Sequence, residues 1–191
     1  GVSMFLGHAL GIDEILKRAD LAMYQAKAAG RNTVRFFDPA IQARLNARAA
    51  LEADLRQAVQ RNELVLHYQP QVDTQGRCLG VEALVRWEHP QRGQVQPLDF
   101  IPLAEETGLI LPIGQWVLCQ ACSTMAAWEA DPRLAGLGMA VNVSARQFHQ
   151  PDFVHNVRVQ LRSHGIDPAL LKLEITESML LDNIEQTVET M

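Results

Sequence analysis

The stretch that decides the fold is Arg-Cys-Leu-Gly-Val-Glu-Ala-Leu-Val-Arg-Trp, at residues 77–87. Apolar side chains alternate here with a second set that includes Glu82 and Arg86, which is the pattern of a β-strand with two unlike faces. An earlier alternating stretch lies at 64–72, and a turn sequence at 73–76 separates the two. We therefore predict an antiparallel hairpin.

Beyond the hairpin, predicted helices and strands alternate. The apolar spacing predicts helices at 98–107, 113–130, around 151–164 and 179–191, and strands at 138–143 and 170–176. This alternation is typical of parallel β-α units, so the predicted fold class is α/β.

Three of the predicted strands carry an oxygen donor on the face opposite their apolar side chains. These donors are Glu82, Asn142 and Glu174. In a parallel barrel one face of every strand turns to the axis and the active site lies at the carboxyl ends, so the three could converge. Carboxylate and amide oxygens suit Mg²⁺ or Mn²⁺, which activate water for phosphoryl chemistry. Spacing alone favours a plainer alternative, in which they are polar strand-end residues with ordinary hydrogen bonds.

The composition argues against several classes of protein. The net charge is −5 and the sequence pI is about 5.7, which argues against binding to DNA or RNA polymers. Cys119 and Cys122 form a C-x-x-C inside a helical pattern, and no second pair completes a zinc site. We expect these cysteines to pack in a helix of a reduced, cytoplasmic protein. No apolar run reaches 18 residues, so we predict no membrane segment in this chain.

The first 61 residues have a different pattern. Residues 1–6 and 33–37 are predicted strands, and a helix between them is expected to end at Gly30. Strong helix formers fill 40–61. This segment is a connecting helix between two units, or the first helix of the second unit, or both.

The hairpin motif is shared with a known family. Glu82-Ala83-Leu84-Val85-Arg86-Trp87 resembles the signature of the EAL phosphodiesterases. Other family motifs follow in the family's order: Leu-His-Tyr-Gln-Pro at 66–70, Phe-Ile-Pro-Leu-Ala-Glu-Glu-Thr-Gly at 100–108, Asn-Val-Ser at 142–144 and Glu-Ile-Thr-Glu-Ser at 174–178. This ordered set is far more specific than one short motif, and it covers residues 63–191.

The opening residues resemble a second family. Arg-Ala-Asp-Leu-Ala-Met-Tyr-Gln-Ala-Lys at 18–27, followed by Gly-Arg-Asn at 30–32, is similar to the last helix and strand of GGDEF diguanylate cyclase domains. The two resemblances imply an α+β GGDEF remnant at 1–37, a connecting helix at 38–62 and the first half of an EAL domain at 63–191. The implied EAL fold is a partial (β/α)8 TIM-like barrel.

The EAL resemblance implies roles for individual residues. Glu82, Asn142 and Glu174 are implied metal ligands of a two-metal Mg²⁺ or Mn²⁺ site. Glu177 is implied as the second, catalytic acid of its motif. The alternative for Glu177 is a carboxylate at a helix start, where the helix dipole favours it.

Two further residues are implied in substrate binding. Arg86 is implied to bind a substrate phosphate, because its planar fork can contact two phosphate oxygens. Gln69 is implied to contact the dinucleotide. We expect His67 to pack inside the barrel.

The implied activity is metal-dependent hydrolysis of cyclic-di-GMP to linear pGpG. The alternatives are a cyclic-di-GMP sensor that does not hydrolyse its ligand and a purely structural interaction fragment. We expect a parent protein that forms a homodimer and carries any membrane anchor outside this chain. Both chain ends look cut, and residues 63–191 fall short of the roughly 250 that a full barrel needs. We therefore expect these 191 residues alone to be inactive.

Overall fold

The computed structural model describes residues 1–7 and 10–175 of the chain. Helices α1–α6 span Ile12–Ala28, Pro39–Ala58, Pro97–Thr107, Ile110–Trp128, Ala145–Phe148 and Phe153–His164. Strands β1–β5 span Leu64–Val72, Cys78–His89, Gly93–Val95, Gly138–Asn142 and Leu171–Glu174. The contacts divide the chain into two units, Gly1–Leu51 and the residues from Glu52 onward.

The first unit is built around α1. The helix ends at Ala28, and Gly30 follows in the left-handed region at φ 96°, as predicted for a terminating glycine. The predicted strands at 1–6 and 33–37 are wrong in extent. In the described part of this unit they share one parallel bridge, between Val2 and Phe36.

The predicted hairpin is confirmed in the second unit. Strands β1 and β2 pair antiparallel, and Gln69 lies opposite Glu82 in their register. The turn depends on Asp73, whose Oδ1 accepts from the backbone N–H groups of Gln75 and Arg77 at 2.8 and 2.9 Å. Such side-chain bonds to the following backbone are what make aspartate a turn residue.

The strands form one mixed sheet in the order β1-β2-β4-β5. Strands β2, β4 and β5 run parallel, which confirms the α/β class predicted from the alternation of elements. The short strand β3 was not predicted, and it pairs antiparallel with the last residues of β2. The TIM-like barrel stays a prediction, and the predicted helix at 179–191 lies outside the described residues.

Helix α4 packs against this sheet. Its length and composition would by themselves permit a membrane span, with a mean hydropathy of 1.2. Its apolar side nevertheless contacts β4 and α6, as in a core helix of a folded domain. Cys122 is buried there, which confirms that it packs in a helix, and burial raises the pKa of its thiol to about 11.

The end of β2 is fixed by a polar contact inside the core. The indole of Trp87 is fully buried, and its Nε1–H donates to Glu63 Oε2 at 3.0 Å. Glu63 is itself buried, so this bond satisfies a carboxylate that would otherwise be costly to desolvate. The Trp87 ring also meets His89 and Phe100 edge-on, with centroids 5.4 and 5.7 Å away. The strand segment that carries Arg86 is therefore rigidly held.

Candidate metal and phosphate site

The structure brings Glu82 and Asn142 into direct contact. Glu82 lies in β2 and Asn142 ends β4, and these strands are parallel neighbours. The side-chain Nδ2 of Asn142 donates to Glu82 Oε1 at 2.6 Å. Residues Val81 and Ala83, on either side of Glu82, are buried, so alternation directs the carboxylate to the opposite face.

Glu174 joins this pair from the next strand. It lies opposite Asn142 in the parallel register of β4 and β5, and its backbone O accepts from the N–H of Val143 at 2.9 Å. Its carboxylate Oε1 receives a 2.7 Å bond from Lys172 Nζ, two residues earlier in the strand. A row of side chains on one face of the sheet thus contains two carboxylates, one amide and one cation.

Gln69 extends the row on the other side. It faces Glu82 across the hairpin, and directly opposed residues of an antiparallel pair share a face. Its side chain is exposed, so a ligand bound on the face of the sheet that carries Glu82 would be within reach of it. His67 is also exposed on this face in the described residues, and its packing inside a closed barrel stays a prediction.

Arg86 lies further along β2, on the same side of the strand as Glu82. Its side chain is half-buried, and one guanidinium N–H donates to the carbonyl oxygen of Val85 at 2.9 Å. Arg86 and Asn142 both line a cleft of about 610 Å³, together with Ser144, Arg146 and apolar side chains of α3 and α4. Arg86 and Asn142 therefore border one space, whereas Glu82 and Glu174 do not line this cleft.

Sequence reasoning missed the residues that support this cleft. Ser144 and Gln147 form a reciprocal capping box around the one-turn helix α5. Arg146 Nη1 donates to the carbonyl oxygen of Glu105 at 2.8 Å, which ties α5 to α3. The Ser-x-x-Gln spacing that begins two residues after Asn142 is the sequence signal that could have revealed the cap.

The donors fit a hard divalent cation. Mg²⁺ and Mn²⁺ prefer carboxylate and carbonyl oxygens, which Glu82, Glu174 and the Asn142 amide supply. No group of three His, Cys, Asp or Glu side chains within residues 1–7 and 10–175 is arranged to hold a metal. Glu177, the predicted catalytic acid, lies outside the described residues.

A family comparison identifies the class of protein. The model of the EAL domain matches residues 52–191, and the chain belongs to this family. The match begins inside α2, earlier than residue 63.

Particular relatives are similar over nearly the whole chain. The bifunctional diguanylate cyclase/cyclic di-GMP phosphodiesterase MucR of Pseudomonas aeruginosa is 44% identical over 98% of this chain, which covers 27% of MucR. The cyclic di-GMP phosphodiesterase PdeR of Escherichia coli is 37% identical over 97% of this chain and is covered over 28%. This chain thus spans about a quarter of the length of these two relatives.

A solved structure is similar in fold. The structure of PaMucR phosphodiesterase in complex with c-di-GMP superposes with a TM-score of 0.70 at 46% identity. The superposition covers 74% of this chain and 57% of that one.

Proposed function

We propose that the protein containing this chain hydrolyses cyclic-di-GMP to the linear dinucleotide pGpG. The observation that carries the proposal is the meeting of Glu82, Asn142 and the neighbouring Glu174 on one face of the sheet. The similarity to MucR and PdeR, both named as cyclic di-GMP phosphodiesterases, supports the choice of substrate.

Glu82, Asn142 and Glu174 are the proposed metal ligands, for Mg²⁺ or Mn²⁺ in a two-metal site. The bound metals would supply an activated water and charge stabilisation for the phosphodiester. In this chain Glu82 accepts an N–H bond from Asn142 and Glu174 accepts one from Lys172. The bond from Asn142 orients the Glu82 carboxylate. The Lys172 ammonium offsets part of the negative charge of Glu174 and would compete with a metal for that carboxylate.

Arg86 and Gln69 are the proposed substrate contacts. The guanidinium of Arg86 borders the same cleft as Asn142 and would bind a phosphate oxygen pair. Gln69 faces Glu82 on an open part of the sheet, where its amide could contact the dinucleotide. Glu177 is proposed as the catalytic acid on the strength of the motif alone.

The remaining parts of the proposal concern organisation. We propose that residues 1–37 are the end of a GGDEF domain, 38–62 a connecting helix and 63–191 the first half of an EAL barrel. The similarity to MucR, named as bifunctional, extends over 98% of this chain and so includes the opening residues. Free thiols at all three cysteines fit the proposed cytoplasmic location. A homodimer of the intact protein belongs to the same proposal.

The test is hydrolysis by the intact protein. Wild type and Glu82→Ala are incubated with cyclic-di-GMP and Mn²⁺, and linear product is followed by chromatography. Glu88→Ala is the matched control, because Glu88 lies on the same strand with an exposed side chain. We expect Glu82→Ala to abolish turnover and the control to retain it. Tight binding of cyclic-di-GMP without turnover in wild type would instead favour a sensor.

A further inference from the structure

Gly114 stands in the interior of α4, where a glycine weakens a helix. The structure gives a reason for it. A Cβ at this position would lie 1.8 Å from Nε2 and 2.3 Å from Cδ of Gln147. The side-chain amide of Gln147 therefore occupies the place that any larger residue at Gly114 would need.

Gln147 cannot move away from Gly114 without losing other bonds. Its Oε1 accepts from Ser144 Oγ at 2.9 Å and from the Ser144 backbone N–H at 3.2 Å. The backbone N–H of Gln147 in turn donates to Ser144 Oγ at 3.3 Å. A clash at the end of a free side chain is relieved cheaply, but here relief would break this cap.

The cap lies two residues after Asn142. Between them, Val143 is buried and its N–H is bonded to β5, so the backbone from Asn142 to Ser144 is held at both ends. The side chain of Asn142 is exposed, and its contact to Glu82 is therefore not enforced by packing around it. Its direction must follow from the backbone that carries it.

We propose that Gln147, seated against Gly114, is a positioning residue that holds Asn142 in line with Glu82. Helix α4 thereby sets the position of a side chain at the end of β4 through a contact that only glycine permits. The geometric part of this inference concerns the metal-free chain. Its consequence for cation binding rests on the proposed function.

The experiment compares Gln147→Ala, Gly114→Ala, the double variant and Gln147→Glu in this chain. Gln147→Glu keeps an oxygen at the Oε1 position, which accepts both bonds from Ser144, so it should preserve the cap. Gln115→Ala, at an exposed position beside Gly114 on α4, is the control. Nuclear magnetic resonance reports the Asn142 side-chain amide and the hydrogen exchange of the Ser144 N–H. Titration with Mn²⁺ then gives the affinity for a cation.

We expect Gln147→Ala to speed exchange of the Ser144 N–H by about fivefold, the effect of losing one ordinary hydrogen bond. The Asn142 side-chain amide signal should move towards that of a solvated amide. Mn²⁺ affinity should fall by about tenfold or more, as for other groups that orient metal ligands. Gly114→Ala should produce the same changes, whereas Gln147→Glu and the control should resemble wild type.

The double variant decides the matter. If Gln147 is the group that Gly114 accommodates, adding Gly114→Ala to Gln147→Ala should change neither the exchange rate nor the Mn²⁺ affinity any further, because the clash is gone. The proposal would be overturned if Gly114→Ala lowered the Mn²⁺ affinity equally in wild type and in Gln147→Ala. It would also be overturned if the Asn142 signal did not move in Gln147→Ala. If Gln147→Ala fails to fold, Gly114→Ala and Gln147→Glu decide by the same Asn142 signal. Suppose that the wild-type chain does not bind Mn²⁺, but the Asn142 signal moves in Gln147→Ala as expected. That result would count against the proposed function and not against the positioning role of Gln147.

Discussion

Replacing Asn142 by aspartate tests whether this side chain and that of Glu82 adjoin as the structure has them. The wild-type amide donates to the carboxylate at 2.6 Å. The substitution removes the donor and places a second carboxylate beside the first. Two ionised carboxylates so close cannot both be accommodated without cost, and one of them should hold a proton more tightly.

The size of the effect follows from the distance and the exposure. Two unit charges about 4 Å apart repel by roughly 1 kcal/mol in water and by about 4 kcal/mol near a protein surface of lower dielectric. Asn142 is exposed and Glu82 is half-buried, so the lower part of this range applies. A repulsion of about 1.4 kcal/mol raises the pKa of the introduced carboxyl by about one unit.

The sign of the pH dependence follows from that rise. When the pKa of a carboxyl is higher in the folded state than in the unfolded state, the free energy of unfolding is unaffected at a pH below the unfolded-state pKa. It falls as the pH rises through the folded-state pKa. We therefore expect Asn142→Asp to match wild type near pH 3.5 and to be about 1–2 kcal/mol less stable at pH 7. Added Mn²⁺ should restore more stability to the variant than to wild type, because the metal offsets the added charge.

The assay is urea unfolding of the metal-free chain from pH 3.5 to 7. Asn46→Asp is the control, since Asn46 is exposed on α2 and accepts a hydrogen bond, as an aspartate also would. Parallel pH profiles for the two variants would refute the reasoning, because they would mean that residue 142 lies away from Glu82 in solution.

Three further predictions concern other parts of the structure. Trp87→Phe should cost about 1.5–3 kcal/mol of unfolding free energy for the lost bond to a buried carboxylate, measured by urea denaturation. Cys122, buried and with its thiol pKa raised to about 11, should resist iodoacetamide at pH 8 while the exposed Cys78 reacts; equal rates would contradict the packing of α4. Lys172→Met should strengthen Mn²⁺ binding, measured by calorimetry, because it removes the cation bonded to Glu174; weaker binding would show that Lys172 supports the site.

Strand alternation predicted which of the candidate side chains share a face of the sheet. A period of two places Glu82 and Asn142 opposite buried residues, and parallel order makes their strands neighbours once the connecting helices are recognised. Each strand has a buried face, which fixes the side chains that point the other way, but the choice of metal ligands among them depended on the resemblance to the EAL family. The same reasoning could not measure a distance, so the direct bond between the two side chains is a finding of the structure.

Alternation and hydrophobic periodicity could not predict the short elements of the fold. Helix α5 has four residues and β3 has three, and neither is long enough for a hydrophobic period to emerge. The contact between Gly114 and Gln147 joins residues far apart in sequence and has no local pattern at all. The strands expected at 1–6 and 33–37 failed for a related reason: β-branched and aromatic residues favour extended backbone, but pairing depends on partners that composition does not reveal.

Diffraction from crystals of the protein soaked in Mn²⁺, with data collected at the manganese absorption edge, tests the central claim most directly. We predict an anomalous peak at about 2.0–2.3 Å from oxygens of Glu82, Asn142 and Glu174, at distances typical of hard divalent cations. The Asn142 amide should then present its oxygen to the metal. Ordered Mn²⁺ elsewhere in the protein, with Glu82 still bonded to the Asn142 amide nitrogen, would contradict the account.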